Sequence, residues 1–170
     1  IHRVTFEAIM GAMPNLEEQF ENEYMIALCF FDETELNQYK QENIDQKQVA
    51  ALVYIDNYDE ALESIEDVKR SLLTALIDRK VSQYFSNVDG LVRKIEKDKY
   101  FVVFKYKYLH QLEDDKFSIL EDVKNVKVGN EMAVTLSIGV GLKGDNYNEN
   151  YTYARSAIDL ALGRGGDQAV

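Results

Sequence analysis

The sequence predicts an α+β fold, with a central antiparallel or mixed β-sheet flanked by helices. Val49 to Ile55 is a nearly continuous apolar run that ends at Asp56, which is typical of a central strand buried on both faces. Residues 65–86 carry apolar side chains at helical spacing. Residues 91–106 place two apolar and aromatic runs on either side of a charged centre, which predicts a β-hairpin with a polar tip.

Composition and charge restrict the classes of function. The 170 residues, of which 46% are hydrophobic and 29% charged, suffice for one globular domain with an appendage. The net charge of −11 argues against general binding to nucleic acid or to an anionic membrane, because both need excess Lys and Arg. The single cysteine, Cys29, lies in an apolar run, so we expect a buried thiol in a reducing compartment. No apolar run is long enough to span a membrane.

Residues 1–47 differ in pattern from the rest of the sequence. Strands are predicted at residues 1–6 and 24–31, and an acidic cap at residues 32–35 predicts a polar helix that continues through Asn43. These elements are too few to form a domain alone. The region is therefore interpreted either as a linker helix that packs or pairs, or as the tail of an upstream module.

A second pattern begins at Gln48 and predicts the order β-α-α-β-β-α-β-α-β. With right-handed crossovers this order gives a ferredoxin-like sheet, in which Asp56 should lie close to the hairpin tip. The long helix is expected to bury Ile65, Val68, Leu72, Leu76, Val81 and Phe85. The later elements are predicted as a helix over residues 107–123, a strand over 132–141, a polar loop over 143–150, a helix that ends in a glycine cap at Gly163, and a strand that starts at Gln168.

Three strings in residues 48–170 resemble the GGDEF domain of diguanylate cyclases. They are LVYIDNYDEA at 52–61, VTLSIGVG at 134–141 and ARSAIDLALGRGGDQ at 154–168. The separation of the last two makes the resemblance more specific than any single string. The resemblance implies a nucleotidyl-cyclase type of ferredoxin-like fold, with a nucleotide and metal site between the first strand and the hairpin tip.

The sequence departs from the GGDEF pattern at the positions that carry its chemistry. Residues 96–100 read EKDKY where the signature should stand, so side chains replace the two glycines that let the backbone approach the nucleotide. Tyr54 stands at the position of a metal-binding aspartate, Leu162 at that of a phosphate-binding lysine, and residues 87–90 lack the inhibitory RxxD motif. The resemblance therefore implies that diguanylate cyclase activity has been lost.

A remnant of the site is expected at the same place. The residues expected to contact a nucleotide are Asp56, Asn57, Glu96 and Asp98. Asp56 and Asp98 are also expected to hold one Mg²⁺, because carboxylate oxygens are the ligands that this ion prefers. The alternatives stay open: Asp56 as a turn residue at the end of a strand, and Glu96 and Asp98 as a solvated tip.

A degenerate GGDEF domain of this kind is similar to that of the GdpP/YybT family of membrane-anchored cyclic-di-AMP phosphodiesterases. The strings YIDNYDE at 54–60 and ALGRGGDQ at 161–168 carry this resemblance, and YMIALCFFDETEL at 24–36 resembles the last strand of a PAS module with its exit helix. The family order is two transmembrane helices, a PAS sensor, the GGDEF domain and a DHH/DHHA1 phosphodiesterase. Residues 1–47 would be the tail of the PAS-like module and the linker helix.

The family resemblance also implies partners and cofactors. The domain would be regulatory, would contact other domains of its parent chain, and would form a homodimer at the cytoplasmic face of the bacterial membrane, which it reaches only through N-terminal helices outside these residues. Weak binding or hydrolysis of ATP with Mg²⁺ is expected here, and Mn²⁺ is expected in a DHH domain, whose motif does not occur in this sequence. The alternative is a structural dimerisation or relay module without a ligand, built on residues 32–47 and the long helix.

Overall fold

The computed structural model describes residues 4–10, 26–63 and 65–170, with side chains from residue 31 onward. The chain divides into two compact units, Ile1–Ile44 and Asp45–Val170. The expected burial of Cys29 concerns a side chain outside the described ones. Among the described residues, no helix combines the length and the hydropathy that a membrane crossing requires.

The first unit contains one β-hairpin and most of one helix. Strands β1 (Val4–Met10) and β2 (Ile26–Asp32) pair antiparallel, with Val4 opposite Asp32. Helix α1 (Thr34–Asp45) follows, and its first backbone N–H donates to Asp32 Oδ1 at 2.9 Å. The cap predicted at residues 32–35 is therefore confirmed, because the carboxylate supplies an acceptor that the first turn of a helix lacks.

The second unit is the predicted ferredoxin-like fold. Its elements are β3 (Gln48–Ile55), α2 (Tyr58–Glu63), α3 (Asp67–Ser86), β4 (Leu91–Glu96), β5 (Lys99–Lys105), a 3₁₀ turn (Tyr106–Tyr108), α4 (Leu109–Asp114), α5 (Ile119–Lys124), β6 (Leu136–Gly141) and α6 (Tyr147–Gly163). The strand order is β4-β5-β3-β6, with every neighbouring pair antiparallel. Ala169 adds a parallel bridge to Ile138 of β6, so the strand predicted from Gln168 is present as one bridge.

The two faces of the sheet carry different helices. The larger core lies on the face that packs against α3, α4 and α5, and it includes Val53, Tyr100 and Ile138. On the other face, α6 packs against β3 and β6, where Leu52 and Ile158 are fully buried. The last residue of β3 and the tip of the β4–β5 hairpin lie at the same end of the sheet.

The predicted phase of the long helix was wrong in its first half, whereas the expected burial of Ile65, Val81 and Phe85 is confirmed. The buried residues of α3 are Leu73, Ile77, Val81 and Phe85, whereas Val68 and Leu72 are 82% and 51% exposed. The error came from including Ile65, which is buried but precedes α3. A helical phase that starts before the helix begins is displaced by about one residue, or roughly 100°.

Two other predicted elements, a helix and a strand, have boundaries that were wrong. The helix expected over residues 107–123 is broken between α4 and α5, because Lys116 and Phe117 have positive φ values of 52° and 50°. The strand expected over 132–141 begins only at Leu136, after Asn57 and Asn130 have bonded the backbone of residues 132–135. Side-chain amides that bond a backbone segment compete with strand pairing.

The end of α6 at Gly163 is confirmed, but its start and the conformation of its cap differ from the prediction. The helix begins at Tyr147, inside the predicted loop, because Asn146 accepts from the Glu149 N–H at 3.0 Å and Glu149 bonds back to Asn146. Gly163 is the last helical residue and not a left-handed cap. The positive φ values fall later, at Gly165, Gly166 and Asp167 (104°, 77° and 58°).

Candidate functional site

The hairpin tip and the end of β3 lie next to each other. The tip is a two-residue turn, Lys97–Asp98, between paired residues Glu96 and Lys99, and β4 has a bulge just before it. The N–H of Ile55 donates to the Asp98 carbonyl at 2.8 Å. The expected proximity of Asp56 to the tip is therefore confirmed, since this bond ties the residue before Asp56 to the turn.

The Asp56 carboxylate is turned towards the loop that follows α6. Its Oδ2 accepts from the Asp167 N–H at 2.9 Å, while its Oδ1 is buried and has no hydrogen-bond partner. A Cβ at Gly166 would lie 2.8 Å from Oδ2, so only glycine allows the loop to approach this closely. Lys124 holds Asp167 from the other side at 2.6 Å. Asp56 thus fixes a segment that lies 111 positions away in the sequence.

The amide of Asn57 is engaged on both of its polar atoms. Its Nδ2 donates to the Ala133 carbonyl at 2.8 Å, and its Oδ1 accepts from the Thr135 N–H at 3.1 Å. Asn57 therefore connects the end of β3 to the segment that leads into β6. The amide keeps one N–H donor and one acceptor lone pair for a ligand.

The charged side chains of the tip pair with one another or with α2. Lys99 contacts Glu96 at 2.7 Å, and Lys97 contacts Asp59 at 2.6 Å. Hydrogen bonds to these carboxylates raise the pKa of both lysines, with Glu96 as the main cause for Lys99 and Asp59 for Lys97. Both pairs are solvent-exposed, so each contributes little to stability.

Tyr54 lies between the sheet and α6. It packs against the cluster that contains Leu52 and Ile158, and Lys99 Nζ lies 5.3 Å from the centre of its ring. Partial burial is the main cause that raises the pKa of the Tyr54 phenol, so the side chain stays neutral. A neutral phenol cannot replace a carboxylate as a ligand of a hard cation.

The described residues do not form a centre for two metal ions. No group of three or more His, Cys, Asp or Glu side chains in the described part of the chain is placed to hold a metal. Asp56 uses one oxygen for the Asp167 backbone, and Asp98 is the remaining acidic residue of the turn. Two-metal phosphoryl transfer requires carboxylates on both ions, and this set is too small for it.

A groove beside the tip contains residues that the sequence analysis missed. It is an open depression of about 500 Å³ between α2 and α3, and it is lined by Tyr58, Leu62, Arg70, Ser71, Thr74, Ala75 and Asp78. Asp78 accepts hydrogen bonds from Lys94 at 2.7 Å and from the Tyr100 hydroxyl. Lys97 lies over the ring of Tyr58, with Nζ 5.3 Å from its centre. The groove and the tip are therefore continuous.

One sequence signal could have pointed to the groove. In β5 the alternate residues Tyr100, Val102 and Phe104 face the core, so the Tyr100 hydroxyl must reach a partner on α3. Asp78 is the residue after the buried Ile77 of α3, so it lies beside the face of the helix that packs on the core. Burial and the bond to Asp78 raise the pKa of Tyr100.

Comparison with known proteins identifies the family. The model of the GGDEF domain of cyclic-di-AMP phosphodiesterase GdpP-like proteins matches residues 53–170. The chain is 34% identical over 141 residues to the cyclic-di-AMP phosphodiesterase GdpP of Geobacillus thermodenitrificans. The aligned region covers 83% of this chain and 21% of that protein. The chain is 33% identical over 143 residues to the cyclic-di-AMP phosphodiesterase PdeA of Listeria monocytogenes, with 84% and 22% covered.

Solved structures support the fold. The active GGEEF domain of a diguanylate cyclase from Vibrio cholerae superimposes with a TM-score of 0.61 at 13% identity, over 79% of this chain and 88% of that chain. At this identity the similarity concerns the fold alone. The chain spans about a fifth of the length of the curated relatives it matches. On the match to residues 53–170, the chain belongs to the GdpP-like GGDEF domain family of cyclic-di-AMP phosphodiesterases.

Proposed function

We propose that residues 48–170 form a regulatory domain, without diguanylate cyclase activity, of a cyclic-di-AMP phosphodiesterase. The observation that carries this proposal is the hairpin tip. Glu96 and Lys97 occupy the positions where a GGDEF signature has its glycines, and both side chains are committed to ion pairs. Tyr54, at the position of the first metal ligand, is packed against α6. Incubation with GTP and Mg²⁺ or Mn²⁺ should yield no cyclic-di-GMP, and its formation would refute the proposal.

The phosphodiesterase reaction is assigned to another part of the parent protein. Two relatives carry the name cyclic-di-AMP phosphodiesterase and are about five times longer than the matched region. We place hydrolysis in a DHH/DHHA1 domain that binds Mn²⁺, and the parent at the cytoplasmic face of the membrane. The coding sequence after Val170 tests this directly, because a DHH motif must follow.

The tip and the groove together are the proposed site for a weakly bound nucleotide. The groove volume of about 500 Å³ lies in the range of small-molecule sites, and Tyr58 offers an aromatic ring to a base. One Mg²⁺ would be held by Asp98 and the unpartnered Oδ1 of Asp56. Asn57 and Glu96 would then contact the nucleotide through the hydrogen-bonding groups that their present bonds leave unused.

The electrostatics of the site explain why binding should be weak. Two cations beside the groove, Lys94 and Lys97, contact carboxylates at 2.7 and 2.6 Å. A third, Arg70, donates to the Ile65 carbonyl at 2.7 Å. A triphosphate must compete with these carboxylates, in a protein of net charge −11. We expect a dissociation constant for ATP on the order of millimolar.

Calorimetric titration with ATP in the presence and absence of Mg²⁺ tests nucleotide binding. Lys97→Glu should abolish the heat of binding, because it reverses the charge at the junction of tip and groove. Lys127→Glu is the matched control, since this exposed lysine lies in the segment after α5 and outside the groove. No heat with millimolar ATP would remove nucleotide binding and leave the loss of cyclase activity untouched.

A second candidate is a relay module that binds no ligand. It is favoured by the engagement of Glu96, Lys97 and Lys99 in ion pairs and of Asn57 in backbone hydrogen bonds. In that case the titration is silent, and the effect of this domain on cyclic-di-AMP hydrolysis by the parent protein persists without ATP. Hydrolysis measured with and without residues 48–170, at zero and at millimolar ATP, distinguishes the two candidates.

A further inference from the structure

The outward face of α3 carries an exposed apolar stripe. Val68 and Leu72 are 82% and 51% exposed, and Ala75 is exposed as well. At about 100° per residue, these three residues lie on the side of the helix opposite the buried Ile77. Their spacing of four and three residues continues to Arg79, and this is the spacing of a seam along which two helices pack.

We propose that this stripe binds the same stripe of a second copy of this chain, with the two α3 helices antiparallel. One register places Leu72 opposite Ala75 of the second copy, so a large side chain meets a small one at both symmetric contacts. The same register places Val68 opposite Arg79 of the second copy, whose aliphatic stem can cover the exposed valine. All four seam residues are paired in this single register.

The charges along α3 select the antiparallel direction. In a parallel pair Arg79 would face Arg79 of the second copy, and like charges at such positions are destabilising. In the antiparallel pair Arg79 lies near the first turn of the other helix, where Glu66 and Asp67 are 80% and 96% exposed. Their contacts with Lys69 and Arg70 are 3.7 and 3.6 Å long, beyond good hydrogen-bond distance, so both carboxylates can accept from Arg79.

The size of the stripe sets the expected strength. Three apolar residues bury far less than the roughly 800 Å² per partner of a stable interface. We therefore expect a dimer of this chain only at high concentration, and a stronger one where other parts of the parent hold two copies together. This inference does not rest on nucleotide binding, although one seam residue, Ala75, also lines the groove; the other three, Val68, Leu72 and Arg79, lie outside it.

Sedimentation equilibrium over a wide concentration range tests the surface. Leu72→Glu should raise the dimer dissociation constant at least tenfold. Leu160→Glu is the matched control, since Leu160 is a leucine of α6 with a similar exposure of 46%. Circular dichroism must show that both variants are folded. A wild-type chain that stays monomeric up to about millimolar concentration, or equal effects of the two variants, would overturn the proposal.

Helix α1 offers a competing surface that the same measurement separates. Leu36 and Tyr39 of α1 are 49% and 69% exposed. If Leu36→Glu dissociates the dimer and Leu72→Glu does not, association occurs through α1 and the α3 proposal fails. The expected result is the reverse.

Disulfide trapping tests the direction of the helices. In a Cys29→Ser background, a Leu72→Cys chain mixed with an Ala75→Cys chain should give cross-linked mixed dimers on mild oxidation. Val68→Cys alone should not link to itself, because the two positions would be about 16 Å apart along antiparallel helices. Efficient self-linking of Val68→Cys, with no mixed product from the first pair, would indicate parallel helices and overturn the assignment.

A charge exchange provides the final check. Arg79→Glu should weaken the dimer at least fivefold, and adding Glu66→Arg and Asp67→Arg to it should restore association. Lys80→Glu makes the same reversal of charge at the adjacent position, outside the seam, and should change the dimer dissociation constant much less. Restoration by the charge exchange would not occur if α3 contributed only to folding.

Discussion

Two regions of the molecule restrict the residue type to different degrees. One is the contact between β6 and α6, and the other is the hairpin tip. At the first, Gly139 packs directly against the backbone of α6, where a Cβ would collide with the Ala154 carbonyl and the Ile158 N–H. At the tip, Lys97 and Glu96 are exposed and held only by ion pairs. Close backbone packing allows one residue type, whereas an exposed turn accepts many. The packing against α6 therefore restricts the residue at position 139 more strictly than the fold restricts the residues of the tip.

The largest effect should come from Gly139→Ala. The new Cβ would meet backbone atoms of α6, which cannot move without displacing the helix, so we expect a loss of about 2–3 kcal/mol in the free energy of unfolding. Urea denaturation measures it. Gly163→Ala is the control, because nothing lies within 4 Å of a Cβ there, and it should leave stability unchanged or raise it by up to about 1 kcal/mol. Equal losses would mean that packing against α6 is not what restricts Gly139.

The next effect concerns the polar contact between the hairpin and α3. Asp78→Ala leaves the Tyr100 hydroxyl, on a residue only 2% exposed, without its acceptor, and it leaves Lys94 without its partner. We expect a loss of about 1–3 kcal/mol, because a buried polar group then lacks a hydrogen bond. Tyr100→Phe should cost about 1 kcal/mol, and the double variant should cost less than the two losses added. Full additivity in denaturation experiments would show that the two side chains do not interact.

The elements with strong periodicity were predictable from the sequence. The apolar run of β3 and the polar tip between two apolar strands were sufficient to predict the central strand and the hairpin, because burial on both faces leaves no alternation. The helical pattern before Gly163 was sufficient to predict α6 as a helix. These parts depend on local pattern, and local pattern is what a single sequence contains.

The parts that failed have both local and distant causes. The phase of α3 depends on where the helix starts after residue 66, and α4 ends where Asp115 accepts from Ser118, so these two features are set locally. At the site, the bond from the Asp56 carboxylate to a loop 111 residues away was not predictable from local pattern, and the groove was missed because its residues come from two helices. That Asp56 also contacts a ligand stays a prediction.

Asp56→Ala tests whether the residue that follows β3 anchors the loop after α6. It removes the acceptor of the Asp167 N–H and should cost about 1–2 kcal/mol in the free energy of unfolding. Hydrogen exchange at residues 165–168 should accelerate, because these residues lose the contact that fixes them. Asp59→Ala is the matched control, since this exposed carboxylate bonds only Lys97 in the described structure, and it should leave exchange at 165–168 unchanged. Unchanged exchange in Asp56→Ala would show that Asp56 does not anchor the loop.

A smaller, pH-dependent effect is expected at the break between α4 and α5. Hydrogen bonds from Ser118, above all, and from Tyr84 lower the pKa of Asp115 below its ordinary value of 3.8. A lowered folded-state pKa means that this contribution is present above about pH 4 and is lost as the pH falls through the folded-state value. Asp115 is well solvated, so the contribution should stay below about 1 kcal/mol. Ser118→Ala should reduce stability at pH 7 and leave it unchanged near pH 2, and equal losses at both pH values would contradict the assignment.

The smallest effect should come from Lys97→Ala at the tip. Its ion pair with Asp59 is exposed on both sides, at 59% and 70%, so the melting temperature should not change measurably. Lys94→Ala is the informative control, because Lys94 is 32% exposed and contacts Asp78, which also accepts from Tyr100. It should lower the melting temperature by a few degrees, since loss of roughly 1 kcal/mol shifts a domain of this size by that amount. If Lys97→Ala lowered the melting temperature as much as Lys94→Ala, the ion pair at the tip would contribute to stability. The tip would then not tolerate substitutions better than the contact between β6 and α6 does.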